Sequence, residues 1–158
     1  MSEAITAYTT TDAVRGAIGL TPNDIPDASL IDQQLALELE ADLSVWLPTH
    51  ATLYAAGIAS GATSADKLKA AYINLYAQWF CASSVVTQMT LGIPMMVSDG
   101  KSELQRFTSL DLDALMERVV GRRDLYRNKL AEGEGQAAVT SVSVMQAGVP
   151  VYDPVSGV

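Results

Sequence analysis

Residues able to do covalent or metal chemistry are few in this chain. His50 is its only histidine and Cys81 its only cysteine. A Cys–His nucleophile pair would have to join a thiol in an apolar helical run to an imidazole that follows Pro48-Thr49 in what reads as a loop. One His and one Cys do not make a zinc set. Glu38 and Asp42 stand one helical turn apart, and Asp111 and Asp113 sit where a helix would start. Those are the spacings of a helix face and a cap rather than of an acid–base pair. The chain contains neither a Gly-x-x-x-x-Gly-Lys phosphate loop nor a Gly-x-Ser-x-Gly turn. His50 therefore reads as a surface residue and Cys81 as a buried structural thiol. The expectation is a protein that is not an enzyme and uses no metal and no cofactor.

The remaining candidates are charges. Residues 1–66 hold nine acids against Arg15 alone, whereas Arg118, Arg122, Arg123, Arg127 and Lys129 lie close together near the other end. One part of the molecule is acidic and another basic, so the two patches either are solvated helix faces or meet between copies and fix register. A net charge of −8 argues against a general affinity for phosphate backbones or anionic membranes. With 158 residues, 49% of them hydrophobic, there is enough for one domain with a real core and not for two. The opening Met1-Ser2-Glu3-Ala4 lacks the basic and apolar regions of a signal peptide, which predicts a cytoplasmic protein. The uncharged stretch Ala70–Val97 contains Asn74, Gln78, Ser83, Ser84, Thr87 and Gln88. It reads as a buried helix and not as a membrane span.

Helices must position these charges. Thr11-Asp12 opens a short helix that Gly19 stops, with Leu20 folding back. After the turn at Thr21-Pro22-Asn23-Asp24, Asp27 is the expected N-cap of a second helix running to about Leu47, ahead of Pro48. At 100° per residue that helix has two apolar sides: Leu35, Leu39, Leu43, Trp46 and Leu47 on one, Leu30, Leu37 and Ala41 on the other. Two apolar sides need two things to pack against. Asp32, Glu38, Glu40 and Asp42 lie around them, and a solvated acidic surface is the simplest account of these.

Ala55–Thr63 reads as a connection, and Ser64-Ala65-Asp66 as the cap of a third, central helix reaching Thr90 or Leu91. Leu68, Tyr72, Leu75, Trp79 and Val86 form its expected main face, with Ile73, Ala77, Phe80 and Val85 beside it. Asp99-Gly100 between Met95-Met96-Val97-Ser98 and Lys101-Ser102-Glu103-Leu104 signals a tight hairpin, or a loop with the same turn. Ser109 or Asp111 caps the last helix, whose stripe is Leu112, Leu115, Val119, Tyr126 and Leu130 and which ends before Gly133. The fold class is thus mainly α: a small bundle of about four helices over residues 1–132, followed by an extended arm over 133–158. In that arm Val142 and Val144 alternate with serines, and Val149-Pro150-Val151-Tyr152 continues an extended apolar pattern. Either the arm is floppy or it adds to a partner's sheet edge or groove.

The opening Thr10-Thr11-Asp12-Ala13-Val14-Arg15-Gly16-Ala17-Ile18-Gly19-Leu20, the Ile25-Pro26-Asp27 turn, the two long helices, the Ser98-Asp99-Gly100 turn and the apolar tail together resemble the head–tail connector proteins of tailed phages. These are also called adaptor or head-completion proteins. The resemblance implies a virion protein assembled in the host cytoplasm as a homo-oligomeric ring, usually of twelve copies. Such a ring sits between the portal protein and a tail-side connector or terminator protein, and passes DNA without binding it specifically. On that reading Val142, Val144, Val149 and Tyr152 anchor the arm on the portal. Asp99, Gly100, Lys101, Arg118, Arg122, Arg123 and Arg127 are then candidates for ring or channel contacts. The rival is a DNA-handling helical accessory module of packaging or replication that uses the Arg118–Lys129 cluster.

Overall fold

The computed structural model describes residues 3–31, 33–92, 96–98, 103–105 and 109–133. The chain begins with an anchoring turn in which Ala4 bridges Thr10 and the Thr11 N–H bonds the Glu3 carbonyl. Helix α1, Thr11–Ile18, follows. Its N-cap is Thr10, one residue earlier than the expected start, and the Thr10 hydroxyl accepts from the Ala13 N–H at 3.4 Å. Gly19 ends the helix at φ 73°, a conformation that favours glycine, and the Leu20 N–H then bonds the Arg15 carbonyl, turning Leu20 onto the core.

The expected second helix is broken in two. A single turn, α2 (Asp27–Leu30), is followed after Ile31 by α3 (Gln33–Trp46), and Pro26 rather than Asp27 takes the N-cap position. Helical geometry gives the reason. In an unbroken helix Leu30 would stand about 140° around from Leu35, while Ile31 would share its side. The break puts both Leu30 and Leu35 in the core and leaves Ile31 41% exposed. It also frees Asp27 to reach back to Arg15 in α1, at 2.7 Å. Beyond the break, Leu35, Leu39, Leu43 and Leu47 are all buried, each contributing about 1.5–3 kcal/mol of apolar transfer.

A second correction concerns Ala55–Thr63, most of whose first half is helical. Helix α4 spans His50–Ile58, as befits its alanines, and only the residues after Ile58 connect onward. Gly57 faces α5 (Ser64–Gly92), where an added Cβ would collide with Ala70 and with the Asp66 backbone. The two helices therefore cross in direct backbone contact. Helix α5 opens on a reciprocal cap: the Asp66 N–H donates to the Thr63 hydroxyl at 3.2 Å, and the Thr63 hydroxyl donates to the Asp66 carboxylate at 2.6 Å.

Helix α5 is the axis on which α1, α3, α4 and α6 (Ser109–Gly133) pack. Its deepest residues are Ile73, Tyr76, Ala77, Cys81, Ala82 and Val86, whereas Leu68 is 51% exposed and Tyr72, Leu75 and Trp79 are half-buried. The expected face followed the largest side chains, but an axis wrapped on several sides buries its small residues, which let neighbours approach. Its polar side chains are accommodated locally. Ser83 donates to the Phe80 carbonyl at 2.7 Å, Thr87 to the Ser83 carbonyl at 2.8 Å, and Gln78 to the Ala13 carbonyl at 2.9 Å. No helix among the described residues is long and apolar enough to cross a membrane.

Between α5 and α6, strands β1 (Met96–Ser98) and β2 (Glu103–Gln105) pair antiparallel with Ser98 opposite Glu103. That register leaves four residues, 99–102, between the strands, where a two-residue Asp-Gly turn would leave two. On α6, Leu112, Val119 and Leu130 are buried and Leu115 and Tyr126 half-buried, as the stripe predicts. The molecule is mainly α, with six helices and one short hairpin among its described residues.

Candidate functional site

The polar side chains singled out by type are spent on holding helices together. His50 is buried, not a surface loop residue: one ring nitrogen lies 2.9 Å from the Leu47 carbonyl and the other 3.0 Å from the Glu40 carboxylate. The edges of Tyr8 and Tyr54 complete that cluster. Burial raises the Tyr8 phenol above its ordinary value, with Glu40 and Tyr54 adding to the effect. Asp42 accepts from the Tyr76 hydroxyl on α5 and from Trp46 Nε1 at 2.9 Å. Burial first, and the Asp42 carboxylate second, push the Tyr76 phenol far above its ordinary value, so it stays a donor. Cys81 is buried and its thiol is pushed up to about 12 by desolvation, which removes the thiolate a nucleophile needs.

Two of the acids of helix α3 are engaged by neighbouring side chains while remaining partly exposed. Glu40 serves His50 and Asp42 serves Tyr76 and Trp46, leaving Glu38, which accepts from Gln34 at 2.9 Å. What α3 presents outward is mixed: Gln34, Glu38 and Ser44 are exposed, and so is an apolar row. Leu37 is 64% and Val45 84% exposed, with Ala41 exposed between them one turn from each. Leu37 and Ala41 belong to the second apolar side read from the sequence; Val45 extends it. Leu30, assigned to that side, is instead buried through the break at Ile31.

The arginine cluster on α6 divides. Arg123 pairs with Asp124 at 2.9 Å, Lys129 pairs with Glu132 at 3.1 Å, and the Arg127 guanidinium stacks 5.1 Å from the Trp46 ring centre, tying α6 to α3. Arg118 and Arg122 are exposed and have no carboxylate partner among the described residues. They border a shallow groove on the outer face of α6, with Ala114, Glu117, Gly121 and Leu125. Leu125 is 41% exposed, and a Cβ at Gly121 would meet nothing within 4 Å. Among the described residues no group of three or more His, Cys, Asp or Glu side chains is placed to hold a metal ion. Asp99, Gly100, Lys101, Val142, Val144, Val149 and Tyr152 lie outside the described residues.

Two features escaped sequence reasoning. The Arg15 guanidinium, 2% exposed, is clamped by Asp12 and Asp27 at 2.7 Å each and donates to the Ile25 carbonyl at 3.1 Å. Its partners straddle a turn, so no periodicity signals them. Gly121 is a helix-interior glycine beside two arginines, and among the described residues nothing lies within 4 Å of where its Cβ would be. Comparison with protein-family models, with curated proteins and with solved structures found no match to this chain.

Proposed function

We propose that the chain is a structural virion protein of a tailed phage, forming a ring that joins the portal to the tail and continues the DNA channel. The observation that carries most weight is the outward face of α3, where Leu37 and Val45 stand in water on a helix whose other side is fully committed to the core. A lone exposed leucine is ordinary, but an aligned apolar row suits a part that works by contact. The resemblance of the sequence to head–tail connectors supplies the setting: a ring of about twelve copies in that family, with portal protein on one side and a tail-side connector or terminator on the other. Within this reading Val142, Val144, Val149 and Tyr152 bind the portal, and the Asp99-Gly100-Lys101 turn projects toward the channel or the next ring.

The rival, a DNA-handling module, needs Arg118, Arg122, Arg123, Arg127 and Lys129 to reach phosphates together. With Arg123 and Lys129 paired and Arg127 on Trp46, two of the five are left for that task. The deciding experiment is deletion of Gly135–Val158. On the connector reading the free protein keeps its helical signal and its melting temperature, because an extended arm held by a partner contributes few core contacts. Particles carrying the truncated chain then fill with DNA but leak it or lack tails. Tailed, infectious particles would refute the arm as docking element, and an unfolded truncated protein would place the arm in the core.

A further inference from the structure

His50 is buried at the start of α4, and both of its ring nitrogens face oxygens. Nδ1 lies 2.9 Å from the Leu47 carbonyl, and Nε2 lies 3.0 Å from a Glu40 carboxylate oxygen. A backbone carbonyl only accepts, and so does an ionised carboxylate. A neutral imidazole has one N–H, so either tautomer would satisfy one of these oxygens and aim a lone pair at the other. The imidazolium has two N–H groups and satisfies both. The opposite distribution, a neutral ring beside a protonated Glu40, gives up the charge of a carboxylate that is 43% exposed and therefore still solvated.

The same ring supports the start of the chain. Tyr8 meets it edge-on, with ring centres 5.8 Å apart, and meets Tyr54 of α4 in the same way at 4.9 Å. Tyr8 and Ile5 are buried, and the turn that carries them is closed by the Thr11 N–H on the Glu3 carbonyl and the Ile5 N–H on the Thr9 carbonyl. Tyr8 thus seats this turn on α4. The titratable groups gathered here are Glu40 from α3, Tyr8 from the turn and Tyr54 from α4 itself. From α5, Asp66 meets α4 at Gly57, about 10 Å along the helix from His50. Burial first, then Glu40 and Tyr54, hold the Tyr8 phenol above its ordinary value, so Tyr8 keeps its proton across the neutral range and His50 is the group whose protons change there.

We infer that His50 stands as an imidazolium bridging Glu40 and the Leu47 carbonyl, and that this bridge is a proton-dependent latch closing the N-terminal turn onto α3 and α4. In the unfolded chain the ring meets water, which donates and accepts alike. In the folded chain it meets two acceptors, so folding favours the second proton. The latch therefore acts in full below the ordinary imidazole value of about 6.5. It is lost as rising pH strips one ring proton and leaves a lone pair against an oxygen. The inference goes beyond the connector reading and does not rest on it, since it concerns the folded chain alone.

A single histidine gives a single set of ring signals, so ring-nitrogen NMR of the full-length protein reads its protons directly. At about pH 7.5, above the ordinary imidazole value, both ring nitrogens should carry a proton. Raising the pH further should remove one, and the Tyr8 ring signals should move with the same midpoint. Glu40→Gln preserves the shape at a partly exposed position and removes the charge. It should weaken binding of the second ring proton at least about tenfold, the scale of losing an adjacent opposite charge. His50→Gln should leave the Tyr8 signals without this pH response. A ring with one N–H at pH 7.5 in the unmodified chain, or a Glu40→Gln chain that binds the proton as tightly as before, would overturn the imidazolium bridge. Tyr8 signals that stay in place while the ring loses its proton, or that still respond in His50→Gln, would overturn the latch.

Discussion

Arg15 shows how much of this fold rests on single polar side chains. Its guanidinium is buried where α1 meets the turn into α2, and it holds the Asp27 carboxyl below the usual carboxylate range, with a hydrogen bond from Thr11 assisting. A carboxyl whose pKa is lower in the folded state stabilises that state above its unfolded value and loses the effect as pH falls through the folded one. Asp27→Asn should therefore lower the denaturation midpoint by a constant amount between about pH 5 and 8. The gap to the unmodified protein should close as pH falls below about 4, the ordinary aspartate value. Denaturant titrations across that range check it, and a gap that does not begin to narrow below about pH 4 would show that Asp27 acts through packing rather than charge. None of this was legible in sequence, where Asp27 reads as a helix cap. His50 misreads for the same reason: both its partners, Glu40 and the Leu47 carbonyl, come from the preceding helix and its end, and the Pro48-Thr49 loop signal hides them.

At the scale of elements the sequence is a better guide, and its failures have a common cause. The start of α1, its glycine stop, the long α5 and the stripe of α6 follow from caps and periodicity, which are local. The break at Ile31 and the helix at His50–Ile58 depend on what lies across the core. Gly57 illustrates the point. In sequence it marks a connection, whereas in space it lets α4 touch the backbone of α5. Gly57→Ala gains about 1 kcal/mol of helix propensity but forces a methyl into Asp66 and Ala70, an overpacking that costs about 1–3 kcal/mol or more. A net loss of stability, seen as a lowered melting temperature, is the expected result; the same change at Gly121, where space is open, should instead raise it.

For the whole molecule, charge segregation was visible in the sequence and its use was not. Nine acids precede Lys67 against one arginine, and four of them, Asp12, Asp27, Glu40 and Asp42, each bond a side chain of the fold, Asp12 and Glu40 while staying about half exposed. What faces outward on α3 includes an apolar row, anticipated in part by the two-sided pattern of Leu37 and Ala41. A mainly helical body with Leu37 and Val45 exposed on α3, Arg118 and Arg122 exposed on α6, and a C-terminal segment of extended pattern suits a part held between larger ones. The most direct measurement of that claim is negative-stain imaging of phage particles carrying a bulky label on this chain. The label should appear as a single cluster at the vertex where head meets tail, and on filled heads that have not yet gained a tail. Label absent from particles, or spread over the capsid or tail shaft, would contradict it.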